Sequence, residues 1–379
     1  MKKIKVGIIG CGSITEKRHA PEYLDNPNVE IVAFYDLNKK RAELMVEKFG
    51  GKVADEYMDI LNNPEIDAIS DCTPNNMHYI ISTKAMELGK HVLCEKPMTK
   101  SVEEAEKIAE VQDKELDGAN IFGAHMEGPY FDIQYKGAQN EKYMKPAGIE
   151  EIKEYLSVKP GLVKLFSLSP KDDAALEAIK FLKENGVIVS IGHSAVYFDD
   201  VQKAIKAGLS HSTHTYNGMR GFTHREPGVV GAVLSSDSVM AEIIFDKIHV
   251  HPEAIRILLK AKGVDKVECI TDAMSATGLP DGNYKLGELD VYVKDNQARL
   301  VSNDSLAGSV LTLDKAFKNI IELGYSIFDA VKMTSTNAAR EFGLNTGEIS
   351  EGKDADLVVL NNDYSVDMTF VKGKLKYQA

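Results

Sequence analysis

Short apolar runs alternate with amphipathic stretches along most of this 379-residue chain. Residues 4–9, 29–36, 68–75 and 91–97 read as strands. The segments 39–49, 77–89 and 101–114 carry helical spacing. The pattern changes character within 113–120, with no proline-rich or serine-rich linker, which predicts domains at 1–117 and 118–379. Beyond the junction, strands are expected at 119–124, 161–167, 187–192, 209–214, 239–245 and 267–271. Helices are expected among them at 148–156, 171–185, 198–206 and 252–262. Such alternation is the mark of an α/β fold built on a parallel sheet, either a barrel or a doubly wound layer. Farther on, 283–301 alternates like a hairpin, and 311–323 and 326–342 read as amphipathic helices. The segments 352–360 and 368–376 read as closing strands, and no repeat or low-complexity tract interrupts the chain.

Composition narrows the function. A net charge of −12 argues against nucleic acid and against an anionic membrane surface as partners. No run approaches the roughly 20 apolar residues of a membrane span. The N-terminal apolar stretch is too short for a signal peptide and runs into a glycine turn. Cys11, Cys72, Cys94 and Cys269 lie in or beside apolar runs without metal-type pairing. They read as buried free thiols, and the expected location is the cytoplasm.

The first domain carries a nucleotide pattern. The run 4–9 leads into Gly10-Cys-Gly12-Ser-Ile-Thr15, and the second strand ends in Asp36. A glycine turn between strand and helix lets amides approach a pyrophosphate, and an acid at the next strand end suits ribose hydroxyls. Thr15 stands where the fingerprint has its third glycine, so helix and strand are expected to sit slightly further apart. Together with Thr73-Pro-Asn75, His78 and Glu95-Lys-Pro97, these residues resemble the glucose–fructose oxidoreductase/inositol dehydrogenase family. The resemblance covers residues 1 to about 113. It implies a Rossmann domain binding NAD(P) through Gly10, Gly12 and Asp36, with Lys96 at the position that supports hydride transfer. That family's large α+β substrate domain is not recognisable here.

The second domain carries a different chemistry. Four strand-like segments end in Glu127, His193, His214 and Asp272. Strand carboxyl ends are where α/β proteins assemble their sites. Two imidazoles and a carboxylate suit one divalent metal with an open position for water, and a further carboxylate suits proton transfer. Glu127, His193 and His214 are therefore the expected ligands and Asp272 the base and acid. His125 shares a strand face with Glu127 and is read as a supporting or packing residue; His211 and His224 are read as core or surface histidines.

The wording of these segments closely resembles the N-acetylglucosamine-6-phosphate deacetylase family of amidohydrolases. Gly123-Ala-His-Met-Glu-Gly-Pro129, Gly192-His-Ser194, Thr213-His-Thr-Tyr-Asn-Gly-Met219, Arg225-Glu-Pro-Gly228, Asp246-Lys-Ile-His249, Thr271-Asp-Ala273 and Leu306-Ala-Gly-Ser309 carry the likeness. It implies metal ligation by Glu127, His193 and His214, catalysis by Asp272, and zinc as the metal, with iron, manganese and cobalt as alternatives. It places sugar contacts at Ala138, Gln139, Asn217, Gly218, Leu306, Ala307 and Gly308. It places phosphate contacts at Arg225 and His249, the latter across a homodimer interface. The implied substrate is a phosphorylated amino sugar.

Neither resemblance is complete. The deacetylase family begins with sandwich strands and two barrel units that a Rossmann-like segment replaces here. The expected fold is therefore a Rossmann-like doubly wound domain joined to an incomplete TIM-type (β/α) barrel with C-terminal closing strands. Unless Rossmann strands cover its open side, that barrel keeps unpaired edges. The leading function is metal-dependent deacetylation. The alternatives are an NAD(P)-dependent sugar oxidoreductase and a folded but inactive chimera.

Overall fold

The computed structural model describes residues 3–12, 14–73, 75–94, 122–287 and 289–379. The chain divides into two compact units, 1–117 and 118–379. In the first, β1 (Ile4–Ile9), β2 (Val29–Tyr35), β3 (Lys52–Val53), β4 (Ala68–Asp71) and β5 (His91–Cys94) form a parallel sheet of order β3-β2-β1-β4-β5. The apolar β1 lies at its centre, and Val6, Ile8 and Ile9 are buried. Helices α1 (Ala20–Asp25), α2 (Lys39–Phe49), α3 (Tyr57–Asn62) and α4 (Asn75–Glu87) connect the strands. The strand order reverses between β1 and β4, the crevice where such sheets take ligands. Gly10 turns the chain there at φ +94, and a Cβ on it would lie 2.5 Å from the Cys72 carbonyl oxygen. No other residue fits that approach. The Thr15 hydroxyl donates to the Gly10 carbonyl, and the helix opens with a π turn, Thr15–His19. The helix expected at 101–114, and Glu95, Lys96 and Pro97, lie outside the described residues.

In the second unit, β6 (Ala124–Glu127), β7 (Val163–Leu168), β8 (Ile188–Ile191), β9 (His211–Ser212), β10 (Met240–Ile244) and β11 (Val267–Ile270) form a six-stranded parallel sheet in sequential order. It is an open, incomplete barrel. Among the described residues, β6 and β11 stand at the two ends of this sheet order. Consecutive strands are linked through α5 (Ile149–Val158), α6 (Asp173–Glu184), α7 (Phe198–Ala207), α8 (Gly228–Ser235) and α9 (Pro252–Lys262). One buried cluster joins helix residues such as Ile152, Leu182, Val201 and Ile255 to strand residues such as Phe166, Val189 and Ile243. The inner face of the sheet is polar: Ser167 and Ser190 both meet the Thr213 hydroxyl at 2.6 Å.

Several expectations need correction. The strand expected at 119–124 is β6, which ends on Glu127 itself, and residues 119–121 lie outside the described set. The strand expected at 209–214 shrinks to His211–Ser212, because His214 takes a left-handed backbone. Helix α8 has no amphipathic stripe; it carries no polar side chain before its last residue, Ser235, and is buried from Gly228 to Val233, so spacing did not reveal it. Residues 283–301 form not a hairpin but a three-stranded meander, β12 (Gly282–Leu286), β13 (Leu289–Lys294) and β14 (Gln297–Leu300). Its second turn is Asp295–Asn296, both at positive φ, as a tight hairpin turn requires.

Helices α10 (Leu313–Glu322), α11 (Ile327–Val331) and α12 (Asn337–Glu341) follow, the last two joined by a π turn, Lys332–Thr336. The chain closes with three antiparallel strands rather than two: β15 (Leu357–Leu360), β16 (Val366–Val371) and β17 (Lys374–Gln378). Just past α12, the Phe342 ring meets Phe122, ahead of β6, at 5.9 Å and His211 of β9 at 6.5 Å. Cys11, Cys72 and Cys269 are free and buried. Among the described residues no helix is long and apolar enough to cross a membrane.

Candidate metal centre

Glu127 closes β6, and His193, His214 and Asp272 each stand two positions past the last residue of β8, β9 and β11. The three latter residues have φ of 44, 32 and 47°. A left-handed residue breaks the strand and redirects its side chain, a strained arrangement that packed surroundings must hold. The result is convergence. His193 Nε2 lies 3.0 Å and His214 Nε2 3.1 Å from the same Glu127 oxygen, and the two nitrogens are 3.2 Å apart. Zinc with ligand bonds of about 2.0–2.1 Å in a tetrahedral shell sets its donors roughly 3.3 Å apart. The spacing therefore fits a divalent ion. His193 Nδ1 donates to the Tyr135 carbonyl at 2.8 Å, so that with an ion bound Nε2 would present its lone pair to the cluster. Glu127, His193 and His214 form a divalent-metal-binding site.

The electrostatics agree with that chemistry. Burial alone would raise the Glu127 carboxyl, but hydrogen bonds and charge from the two imidazoles hold it well below the ordinary carboxylate range. Burial would lower His214, but Glu127, Asp272 and Glu242 outweigh it and push the imidazole up to about 9. An imidazole ligates a cation through a lone pair, so ion binding competes with a proton at this cluster. Asp272 is raised by burial and by Glu127, against the pull of His214. A cavity of about 340 Å³ is lined by Glu127, His214 and Asp272 together with His125, Glu242 and Leu313. Glu127 also lines a second cavity of about 510 Å³ with Gln139, Lys142, Lys145 and Tyr155.

The remaining expected residues are brought together unevenly. Gly218 has φ +58 and packs so closely that a Cβ would lie 2.9 Å from His193 Nδ1. The Asn217 amide donates to the His214 carbonyl at 3.0 Å. Gly308 lies against Asp272, and Ser309, next in the 306–309 segment, donates its amide to the Asp272 carbonyl at 2.7 Å. Ala307 is buried in the core of the meander, against which Ala138 packs. Gln139 lines the larger cavity. His249 donates through Nδ1 to Asp246 at 2.6 Å, and its charge reaches Asp272. Arg225 is exposed on the loop before α8 and forms no ion pair or hydrogen bond with the described residues.

His125 stands outside the three-residue cluster, and its Nε2 meets the Ser167 hydroxyl at 2.6 Å. His211 is buried, and burial first of all lowers it to about 4. In the first unit the Asp36 carboxylate accepts the Cys11 and Asn38 amides, each at 2.8 Å, while Gly12 has open space where a Cβ would be. Sequence reasoning missed the 131–135 segment around His193, which works through ring packing, backbone atoms and one carboxylate. It also missed Glu242 and Glu268, paired in register on β10 and β11. An acid interrupting an apolar strand was the available signal.

Residues 66–376 match the amidohydrolase family. The chain belongs to that family. Residues 4–117 match the NAD-binding Rossmann fold of an oxidoreductase family, so the two matches overlap at 66–117. N-acetylglucosamine-6-phosphate deacetylase of Lysinibacillus sphaericus is 42% identical over 264 residues, covering 69% of this chain and 68% of that one. N-acetylgalactosamine-6-phosphate deacetylase of Escherichia coli O157:H7 is 37% identical over 261 residues, covering 68% and 69%. Among solved structures, a Mycobacterium smegmatis N-acetyl-D-glucosamine-6-phosphate deacetylase variant in complex with N-acetyl-D-glucosamine-6-phosphate is similar at a TM-score of 0.67. It is 30% identical and covers 82% of this chain and 77% of that chain. The metal-binding triad is assembled within the open barrel.

Proposed function

We propose that the 118–379 unit is a metal-dependent deacetylase acting on N-acetylglucosamine 6-phosphate or a close relative such as its galactose epimer. The convergence of Glu127, His193 and His214 beside the buried Asp272 carries the reading. A divalent ion, in this proposal zinc, polarises a bound carbonyl and lowers the pKa of water toward neutrality. Asp272, its carboxyl raised by burial, takes the proton of the attacking water and delivers it to the departing amine. The backbone around Asn217 and Gly218, the 306–308 segment, Ala138 and Gln139 position the sugar. His249, oriented by Asp246, receives the phosphate together with Arg225, whose planar fork suits that group. In this proposal the working unit is a homodimer in which His249 reaches the second copy's site, and its location is the cytoplasm.

Acetate release from N-acetylglucosamine 6-phosphate and from N-acetylgalactosamine 6-phosphate, with added Zn²⁺, tests the proposal. Metal-loaded protein that releases no acetate from either ester would leave the inactive-chimera reading in its place. The oxidoreductase reading rests on Gly10, Gly12 and Asp36 at the switch point of the first unit. NADH fluorescence titration tests whether that unit binds the dinucleotide, and a flat titration reduces it to scaffold.

A further inference from the structure

Residues 131–135 grip His193 on the sides that do not face the metal cluster. The Phe131 ring lies 4.6 Å from the imidazole, centroid to centroid, and the Tyr135 carbonyl accepts its Nδ1–H. Between them, Asp132 donates its backbone amide to the His193 carbonyl at 2.9 Å. The Asp132 carboxylate reaches further. Its Oδ2 accepts the Ala195 amide at 2.7 Å and the Ser169 hydroxyl at 2.6 Å. Ser169 in turn meets the Ser194 hydroxyl at 2.8 Å, and both serines are buried.

One carboxylate oxygen therefore ties together the segments that follow β6, β7 and β8. These contacts bracket a residue held at φ +44. A non-glycine residue keeps such an angle only while its surroundings over-determine it. Without the Asp132 oxygen, the Ala195 amide and the Ser169 hydroxyl lose an acceptor that nothing apolar replaces. The 193–195 turn is then free to relax toward negative φ, which carries His193 Nε2 away from Glu127 and His214.

We propose that Asp132 is a positioning residue of the metal centre: its carboxylate locks the turn that aims His193 and so sets metal affinity. The proposal rests on the metal-site reading, and Co²⁺ is the probe that separates the two. Co²⁺ binding to the full chain is measured by competition with a chelator and by the visible absorption of the bound ion. Wild-type protein that binds no Co²⁺ overturns the metal reading itself. Given wild-type binding, Asp132→Ala is expected to weaken affinity by roughly 10–100-fold and to alter the visible spectrum. Asp132→Asn, whose amide oxygen accepts the same two donors, is expected to restore both. A folded Asp132→Ala protein with wild-type affinity and spectrum overturns the proposal, as does Asp132→Asn losing as much affinity as Asp132→Ala. Should circular dichroism show Asp132→Ala unfolded, Asp132→Ser carries the same comparison, since its shorter side chain withdraws the oxygen while keeping a polar group.

Discussion

His193, His214 and Asp272 share one local device, a left-handed residue two positions beyond a strand. The device takes a side chain out of the strand's face-to-face alternation and turns it toward a common centre. Asp272 gives the sharpest residue-scale prediction. Asp272→Asn keeps the shape and removes the proposed base, so on the proposed mechanism acetate release is expected to fall roughly 10²–10⁴-fold. Zn²⁺ content by elemental analysis is expected to stay at the wild-type level, because the three ligands remain. Glu268 makes a second prediction. Burial, then the charge of Glu341, raises its carboxyl to about 7, from an ordinary value of 4.5. A raised carboxyl binds its proton more tightly in the folded state, so its contribution is full below about pH 4.5 and is lost as pH rises through about 7. Urea titrations of Glu268→Gln are expected to show a gain over wild type that is absent near pH 4.5. The gain should grow to the order of 2 kcal/mol by pH 8. A difference that is flat across that range would refute the assignment.

At the scale of elements, the site depends on turns that pack against ligands. Gly218 sits at φ +58 with space for no Cβ beside His193. Gly218→Ala is expected to displace that imidazole and weaken Co²⁺ binding by roughly tenfold or more, read by chelator competition. Strands and helices of this unit were largely legible, because an amphipathic period reports which face an element buries. Helix α8 was not, since it is buried nearly all round and has no polar face to mark it. The meander and the final pair of strands read as fewer elements because tight turns, Asp295–Asn296 and Lys372–Gly373, occupy only two residues each.

At the scale of the molecule, an open sheet carries a site that depends on separated strands. The cluster joins residues at the ends of β6, β8 and β9, so metal binding should report on the second unit. Calorimetry with and without Zn²⁺ is expected to show its unfolding shifted upward. The gain should be about 2.7 kcal/mol at a free ion concentration of 100 times Kd. His193→Ala is expected to abolish the shift, and an unchanged shift in that variant would place the ion elsewhere. The end strands β6 and β11 also predict self-association on partial unfolding, visible as light scattering that Zn²⁺ suppresses.

The amino-acid sequence by itself determined which groups are present and where along the chain they fall: acids, imidazoles and glycines at strand ends, and an apolar pattern with two successive α/β rhythms. Those features are local, set by side-chain period and backbone permissiveness within a few residues. Only the tertiary structure decided that Glu127 meets His193 and His214, which lie 66 and 87 positions away. It also decided that His125 Nε2 meets the Ser167 hydroxyl and that the Asp132 carboxylate accepts the Ala195 amide beside the His193 turn. Contacts between distant segments depend on register, strand order and the angles at which turns release a chain, and no short window of residues encodes these.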